Sequence, residues 1–204
     1  HAEPLRSLLG LRRPAEAADR TEVIDGVEVD YTSNELRAVL AGVLQGNGNY
    51  IERILGPCTL YAAPTLEGLR EVARRVLSRR VVGHYRGFAE NQRAAFQERP
   101  TAKRALYVFR TTLTGTHLLL TGEVVPDVTE LLDRYGFGVA RDLLAVKRTG
   151  ERAPLGPSEA ARWLGAMNRA FAALAEAETH SVLPPEPPDP EPLERWLCDF
   201  RLDE

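Results

Sequence analysis

The sequence has few of the features that define several common protein classes. Its 204 residues include two cysteines, Cys58 and Cys198, and neither has the CxxC or CxxH spacing of a zinc site. Two isolated thiols do not form a disulfide framework, so we expect a protein of the reducing cytoplasm. No apolar run approaches the roughly 18 residues that cross a bilayer, and we expect no membrane contact. P-loop, GxGxxG and GxSxG motifs are absent.

Charges of opposite sign are concentrated in different parts of the chain. From Arg70 to Arg110 there are eleven Lys and Arg residues and three acidic residues, a net charge of +8. Because the whole chain carries −3, the remaining residues carry −11. A basic middle beside acidic flanks is typical of a protein that handles a polyanion, although long helices with solvated arginines give the same excess.

Residues 21–31 predict a β-hairpin. Alternating apolar residues flank Asp25-Gly26, a dipeptide typical of a two-residue hairpin turn. The predicted register places Val23 opposite Glu28 and Thr21 opposite Asp30. Glu28 and Asp30 then share one face, and Val27, Val29 and Tyr31 are predicted to face the core on the other.

A carboxylate pair of this kind is a candidate metal site. Hard divalent cations prefer carboxylate oxygens, so the face that holds Glu28 and Asp30 suits such a cation. The histidines at 84, 117 and 180 lack metal spacing such as HxxxH, and we interpret them as structural or polar-face residues. No other metal site is indicated by spacing.

From residue 32 onward the periodicity is mainly helical. Thr32 and Glu35 form a candidate capping box that starts a helix ending near Gly46. The later predicted helices cover about 80–97, 101–121, 127–135, 139–148, 157–178 and 193–202. The segment LPPEPPDPEP before the last of them predicts an extended polyproline-type tether.

Two helices carry candidate ligand-binding residues. Arg79, Arg86 and Arg93 recur every seven residues, and Gly83 and Gly87 between them predict close approach by a neighbouring helix or a ligand. On the next helix, a polar stripe runs along one face: Lys103, Tyr107, Arg110, Thr114 and His117. The stripe predicts a cleft whose Lys and Arg donors suit phosphate oxygens, or alternatively the wet face of an amphipathic helix.

Six segments in this order resemble a bacterial family of predicted nucleotidyltransferases in the DNA polymerase β superfamily, over nearly all of residues 5–190. They are DGVEVDYTSNELRAVL, QGNGNYIERILGP, SRRVVGHYRGFAENQ, KRALYVFRTTLTGTHLLLTGEVVPDVTELL, DLLAVKR and SVLPPEPPD. Members of this superfamily hold two Mg²⁺ ions with three carboxylates. The resemblance implies that Asp30 is the third carboxylate, with Glu28 as the second candidate, and that the Gly-Ser and Asp-x-Asp elements lie upstream of His1.

The resemblance also implies the fold and the activity. We expect an α+β protein in which residues 1–63 are the C-terminal part of a nucleotidyltransferase palm and residues 64–204 form a helical substrate-handling domain. The expected reaction is Mg²⁺-dependent transfer of an NMP from a nucleoside triphosphate to a hydroxyl of RNA, protein or a small molecule. Lys103, Arg110 and Arg86 are expected to bind the phosphates and Tyr107 to stack on the base.

Two other functional classes stay open at this stage. The arginine-rich helices could form a non-catalytic module that binds RNA or another polyanion. The chain could also be an antitoxin-like protein that binds a partner. Metal-dependent release of pyrophosphate distinguishes the enzyme from a binder. A binder would show no turnover, and its affinity would depend steeply on salt.

Overall fold

The structure is a computed structural model that describes residues 15–150 and 154–202. It is mainly helical with one small sheet, so the α+β prediction is confirmed at that level. The two strands are β1 (Ala17–Ile24) and β2 (Val27–Asn34). Nine α-helices follow in the described ranges: α1 (Leu36–Leu44), α2 (Gly48–Leu55), α3 (Leu66–Arg75), α4 (Val81–Glu98), α5 (Ala102–Thr121), α6 (Val128–Arg134), α7 (Arg141–Thr149), α8 (Pro157–Thr179) and α9 (Glu191–Leu202).

The hairpin forms in the predicted register. Val23 lies opposite Glu28 and Thr21 opposite Asp30. The turn residues Asp25 and Gly26 have φ angles of 49° and 79°, the left-handed conformation that a type I′ turn requires at both positions. The local prediction succeeded because turn chemistry and period-two alternation fix register without help from the rest of the fold.

The prediction that the apolar face of the hairpin lies in the core is wrong. Val27, Val29 and Tyr31 are 63%, 37% and 59% exposed. The helices bury their apolar faces against one another, and no part of the described core includes a strand residue. Period-two alternation shows that one face is apolar, but it does not show what covers that face.

The first helix is capped differently from the prediction. Thr32 belongs to β2, and its hydroxyl donates a hydrogen bond to Asp19 Oδ1 at 2.7 Å. Glu35 is the N-cap instead, because its carboxylate accepts hydrogen bonds from the backbone N–H groups of Arg37 and Ala38. The same carboxylate is buried and lies 2.6 Å from Arg201 of α9, which ties the last helix to the base of the hairpin.

The long helix α5 is the centre of the molecule and packs against α4, α6, α7 and α8. Its C-terminal half joins a core with α1, α2, α3 and α9, and its N-terminal half joins a second core around Phe109 and Trp163. Helices α1 and α2, which the prediction assigned to the palm, therefore share a core with the later helices. The domain boundary at residue 63 stays a prediction.

The predicted limits of the later helices agree with the structure to within about two residues, and α5 ends at Gly122 with φ of 76°. The proline-rich segment packs back on the helices, because the backbone N–H of Arg79 bonds to the carbonyl of Pro184 at 2.8 Å. None of the helices in the described ranges has the length and apolarity needed to cross a membrane.

Candidate functional site

The hairpin presents three carboxylates on one face. Asp30 lies opposite Thr21, whose hydroxyl donates to Asp30 Oδ1 at 2.8 Å, and Glu28 lies two residues nearer the turn, opposite Val23. Asp19 stands opposite Thr32 on the same face, a carboxylate that the sequence prediction did not include. All three side chains are exposed.

These carboxylates are donors of the right kind for a hard cation, but they do not close a site. Among the residues that the structure describes, no group of three or more His, Cys, Asp and Glu side chains is arranged to hold a metal ion. Mg²⁺ is often bound through one or two protein carboxylates together with substrate phosphates and water. Asp30 and Glu28 can therefore supply part of a Mg²⁺ coordination sphere.

A cleft lined by basic residues lies on the helical body, at the N-terminal half of α5. The i, i+4, i+7 spacing of Lys103, Tyr107 and Arg110 places them together along a cavity of about 160 Å³, which we call the first pocket. Lys147 of α7 adds a further cation to its wall. Tyr107 is 38% exposed, so part of this residue is open to solvent.

A second pocket of about 450 Å³ adjoins the first and shares Lys103 and Tyr107 with it. It extends toward α4 and the turn between α4 and α5. No acidic side chain of the described residues is among those that line either pocket. Five further residues line the second pocket: Phe88, Gln92, Arg99, Thr101 and Arg104.

The lower part of the predicted polar stripe is not in a cleft. Thr114 and His117 are fully buried between α5 and its neighbours. The Thr114 hydroxyl donates to the carbonyl of Val125 at 3.1 Å, and His117 Nδ1 lies 2.9 Å from the hydroxyl of Tyr135. The stripe thus passes from an open cleft into the core, and its last two members have structural contacts.

A partly buried ion pair holds Arg110 at the edge of the first pocket. Its guanidinium donates to the carboxylate of Glu52 on α2, whose side chain is 14% exposed, whereas that of Arg110 is 35% exposed. One end of the guanidinium fork is therefore fixed and the rest remains accessible. Spacing could not have predicted this pair, because the two residues are 58 positions apart and meet through helix packing.

Tyr85 of α4 lies behind this ion pair. Its hydroxyl is buried and lies close to the carboxylate of Glu52. Burial first, and then the negative charge of Glu52, raise the pKa of Tyr85 well above its usual value. Burial lowers the pKa of the adjacent His84, and the charge of Glu52 opposes that shift. Apart from the presence of titratable residues on helices, no sequence pattern predicts this cluster.

Arg86 lies apart from both pockets. Its guanidinium bonds to the carboxylate of Glu178 on α8 at 2.6 Å, and it is not among the residues that line the cleft. Arg93, one heptad later, packs its guanidinium 4.6 Å from the centre of the Phe171 ring. Arg86 and Arg93 therefore face α8, whereas Arg79 precedes α4 and its backbone N–H bonds to the carbonyl of Pro184. A role for Arg86 in nucleotide binding stays a prediction.

Comparison with known proteins identifies the family. The sequence model of the RNA repair pathway DNA polymerase beta family matches residues 1–199, and the chain belongs to this family of DNA polymerase β-like nucleotidyltransferases. An uncharacterized protein of Methanocaldococcus jannaschii is 27% identical over 122 residues, which are 58% of this chain and 50% of that protein. The match thus spans about half the length of this relative. No solved structure matches the chain.

Proposed function

We propose that the protein is a Mg²⁺-dependent nucleotidyltransferase that transfers an NMP from a nucleoside triphosphate to an acceptor hydroxyl. The observation that carries the proposal is the convergence of Lys103, Tyr107 and Arg110 on one pocket that no acidic residue of the described chain lines. Membership of a polymerase β-like family makes a nucleotide the natural ligand of such a pocket. The family description makes an RNA hydroxyl the first acceptor to test.

The size of the first pocket favours phosphate groups as its contents. Ligand pockets for whole drug-sized molecules measure about 300–1,000 Å³, and this pocket holds about 160 Å³. The triphosphate would lie inside it, where Arg110 binds oxygens through its free donors and Lys103 and Lys147 add point charges. The base would lie at the rim on the face of Tyr107.

The hairpin would supply metal ligands. Asp30 is the first candidate and Glu28 the second, because both are exposed carboxylates on one face. Mg²⁺ bound there would neutralise the charge that develops on the attacking and leaving oxygens. The proposal requires further carboxylates from the Gly-Ser and Asp-x-Asp portion of the palm. The exposed apolar face with Val27 and Tyr31 is what such a palm would cover.

Nucleotide binding to the protein tests the first pocket. Calorimetric titration with each of the four Mg²⁺-nucleoside triphosphates should show that Arg110→Ala weakens binding by about tenfold to a hundredfold, the usual cost of losing charge-assisted hydrogen bonds. The matched control is Arg93→Ala, since this arginine packs on Phe171 outside both pockets. Arg86→Ala tests the remaining predicted contact. An unchanged affinity in Arg110→Ala would remove the first pocket from the proposal.

Transfer itself is tested with a nucleotide labelled in its α-phosphate and an RNA acceptor. Asp30→Asn should abolish labelling of the acceptor, while it leaves metal-free nucleotide binding unchanged because Asp30 lies outside both pockets. Glu28→Gln tests the second candidate in the same assay. Full activity in both variants would exclude the hairpin as the metal site.

A non-catalytic polyanion-binding module is the second candidate function. The observation that favours it is the separation of the hairpin from the cleft. Asp30 bonds to Thr21 and Asp19 to Thr32, so these contacts stay within the hairpin. Such a module would bind RNA with steep salt dependence and release no pyrophosphate with Mg²⁺ and nucleoside triphosphates.

A further inference from the structure

The second pocket has a different chemical character from the first. Two aromatic rings from different helices, Phe88 of α4 and Tyr107 of α5, line the same cavity. The amide of Gln92 lies one helical turn beyond Phe88 and makes no hydrogen bond to another described residue. Aromatic faces with an amide nearby are the groups that stack on nucleobases and bind their edges.

Three cations line the second pocket: Arg99 follows the last residue of α4, and Lys103 and Arg104 lie in the first turn of α5. Arg99 is exposed and has no ion pair with another residue of the described ranges. Arg104 donates to the carbonyls of Ala95 and Arg99, which fixes its guanidinium at the end of α4. From Phe88 to Arg99 a helix advances about 16 Å. The wall therefore combines two aromatic rings with positive charge.

The volume separates this pocket from the phosphate site. At about 450 Å³ the second pocket falls within the range of sites that enclose a whole small ligand. A triphosphate alone would not stack on the aromatic rings of this pocket. Since Lys103 and Tyr107 belong to both pockets, ligands in the two would meet at these side chains.

The Phe88 ring lies beside a second ring of α4. It stacks on the ring of His84, with the centroids 6.4 Å apart and the planes 19° from parallel. Phe88 is partly exposed on the side of the pocket. A ring that is supported on one face and open toward a cavity gives a base a preformed surface, which lowers the entropy lost on binding.

We propose that the second pocket binds the end of a single-stranded nucleic acid. Phe88 and Tyr107 contact the faces of its bases, Gln92 contacts a base edge, and Arg99 and Arg104 contact its phosphates. The interpretation of this strand as the acceptor rests on the proposed function, because the strand end would meet a bound nucleotide at Tyr107. The binding of the strand does not depend on that interpretation.

The test measures binding of end-labelled single-stranded RNA, and of DNA of the same sequence, by fluorescence anisotropy without nucleotide or metal. Arg99→Gln should weaken binding by about threefold to fivefold and reduce the salt slope by about 0.7, the value for one phosphate contact on a single strand. Phe88→Leu, which keeps apolar bulk but removes the ring, should weaken binding by about tenfold. The two strands show whether the ribose hydroxyl contributes.

The matched control is Arg169→Gln, an exposed arginine of α8 outside both pockets. Its affinity for the strand should equal that of the parent protein. Thermal unfolding confirms that Phe88→Leu is folded, and Arg99→Gln lies on the surface, where folding is not at risk. Equal weakening by Arg99→Gln and Arg169→Gln, or no weakening by Arg99→Gln and Phe88→Leu, would overturn the proposal.

Nucleotide titrations of the same variants separate this proposal from the preceding one. Arg99→Gln should bind nucleoside triphosphates like the parent protein, because Arg99 does not line the first pocket. If Arg110→Ala leaves nucleotide affinity unchanged while Arg99→Gln weakens strand binding, only the nucleotidyltransferase proposal fails. If Arg110→Ala weakens nucleotide binding while Arg99→Gln leaves strand binding unchanged, only the proposed strand site is overturned.

Discussion

Gly115 and Gly87 provide a matched test of the packing of α5 against α4 and α8. A Cβ atom at Gly115 of α5 would lie 2.8 Å from Tyr85 Cβ, 2.9 Å from Tyr85 Cγ and 3.0 Å from Leu174 Cδ1. These neighbours belong to α4 and α8, so the added methyl group meets a helix on two sides. A Cβ atom at Gly87 of α4 would meet no atom within 4 Å. The close approach predicted from Gly87 is therefore not to a neighbouring helix.

The two substitutions should have opposite effects on the free energy of unfolding. Alanine in a helix interior is favoured over glycine by about 0.5–1 kcal/mol. For Gly87→Ala, this gain in helix propensity is the only expected change in the free energy of unfolding. At Gly115 it is outweighed by overpacking, which costs about 1–3 kcal/mol in well-packed cores. We therefore expect Gly115→Ala to lower the free energy of unfolding by about 1–2 kcal/mol.

Thermal unfolding followed by circular dichroism measures both effects. For a chain of this size, 1 kcal/mol corresponds to about 2–4 °C in Tm. Gly87→Ala should raise Tm by about 1–4 °C, and Gly115→Ala should lower it by about 2–8 °C. An increase of Tm in both variants would refute the close packing of α5 between α4 and α8. A decrease in both would refute the open space beside Gly87.

Two further predictions concern stability. Burial, followed by the charge of Arg134, lowers the pKa of His117 below its usual 6.5. The stability that its neutral form contributes is therefore complete above about pH 6.5 and is lost at lower pH. Urea unfolding should show this loss of stability between about pH 7 and pH 5. The loss should be smaller in His117→Phe. Equal pH profiles of the two proteins would contradict the role of His117. Glu35→Ala removes both the N-cap of α1 and the partner of Arg201, so it should cost about 2–4 kcal/mol. Glu35→Gln should cost less, and a loss below about 1 kcal/mol in Glu35→Ala would contradict the buried contact.

Local chemistry explains which parts of the fold could be predicted. The hairpin register and the limits of α4 and α5 follow from turn residues, periodicity and terminal glycines, which act over a few residues. The N-cap of α1 was misassigned because Thr32 and Glu35 match the capping-box spacing, while the second strand continues through Asn34. Its true cap depends in part on Arg201, which lies 166 residues away.

The part of the candidate site that lies on one helix could be predicted, whereas contacts between helices could not. Lys103, Tyr107 and Arg110 follow one another along one helix face, so the sequence itself places them together. Glu52 and Tyr85 reach Arg110 only through packing of α2 and α4, and Phe88 reaches Tyr107 only across the α4–α5 pair. Contacts between helices depend on the tertiary fold, which periodicity within each helix does not specify.

Arg110 connects the packing of the helices with the proposed chemistry. An arginine between an acidic residue and the first pocket, where we propose that phosphates bind, could be neutralised by its acidic partner or oriented by it. Glu52 contacts only one end of the guanidinium, and 35% of the Arg110 side chain remains exposed. A guanidinium has five donors in a rigid plane, so an ion pair at one end fixes the direction of the others. This geometry favours orientation, because an arginine held in place loses less entropy when it binds a phosphate.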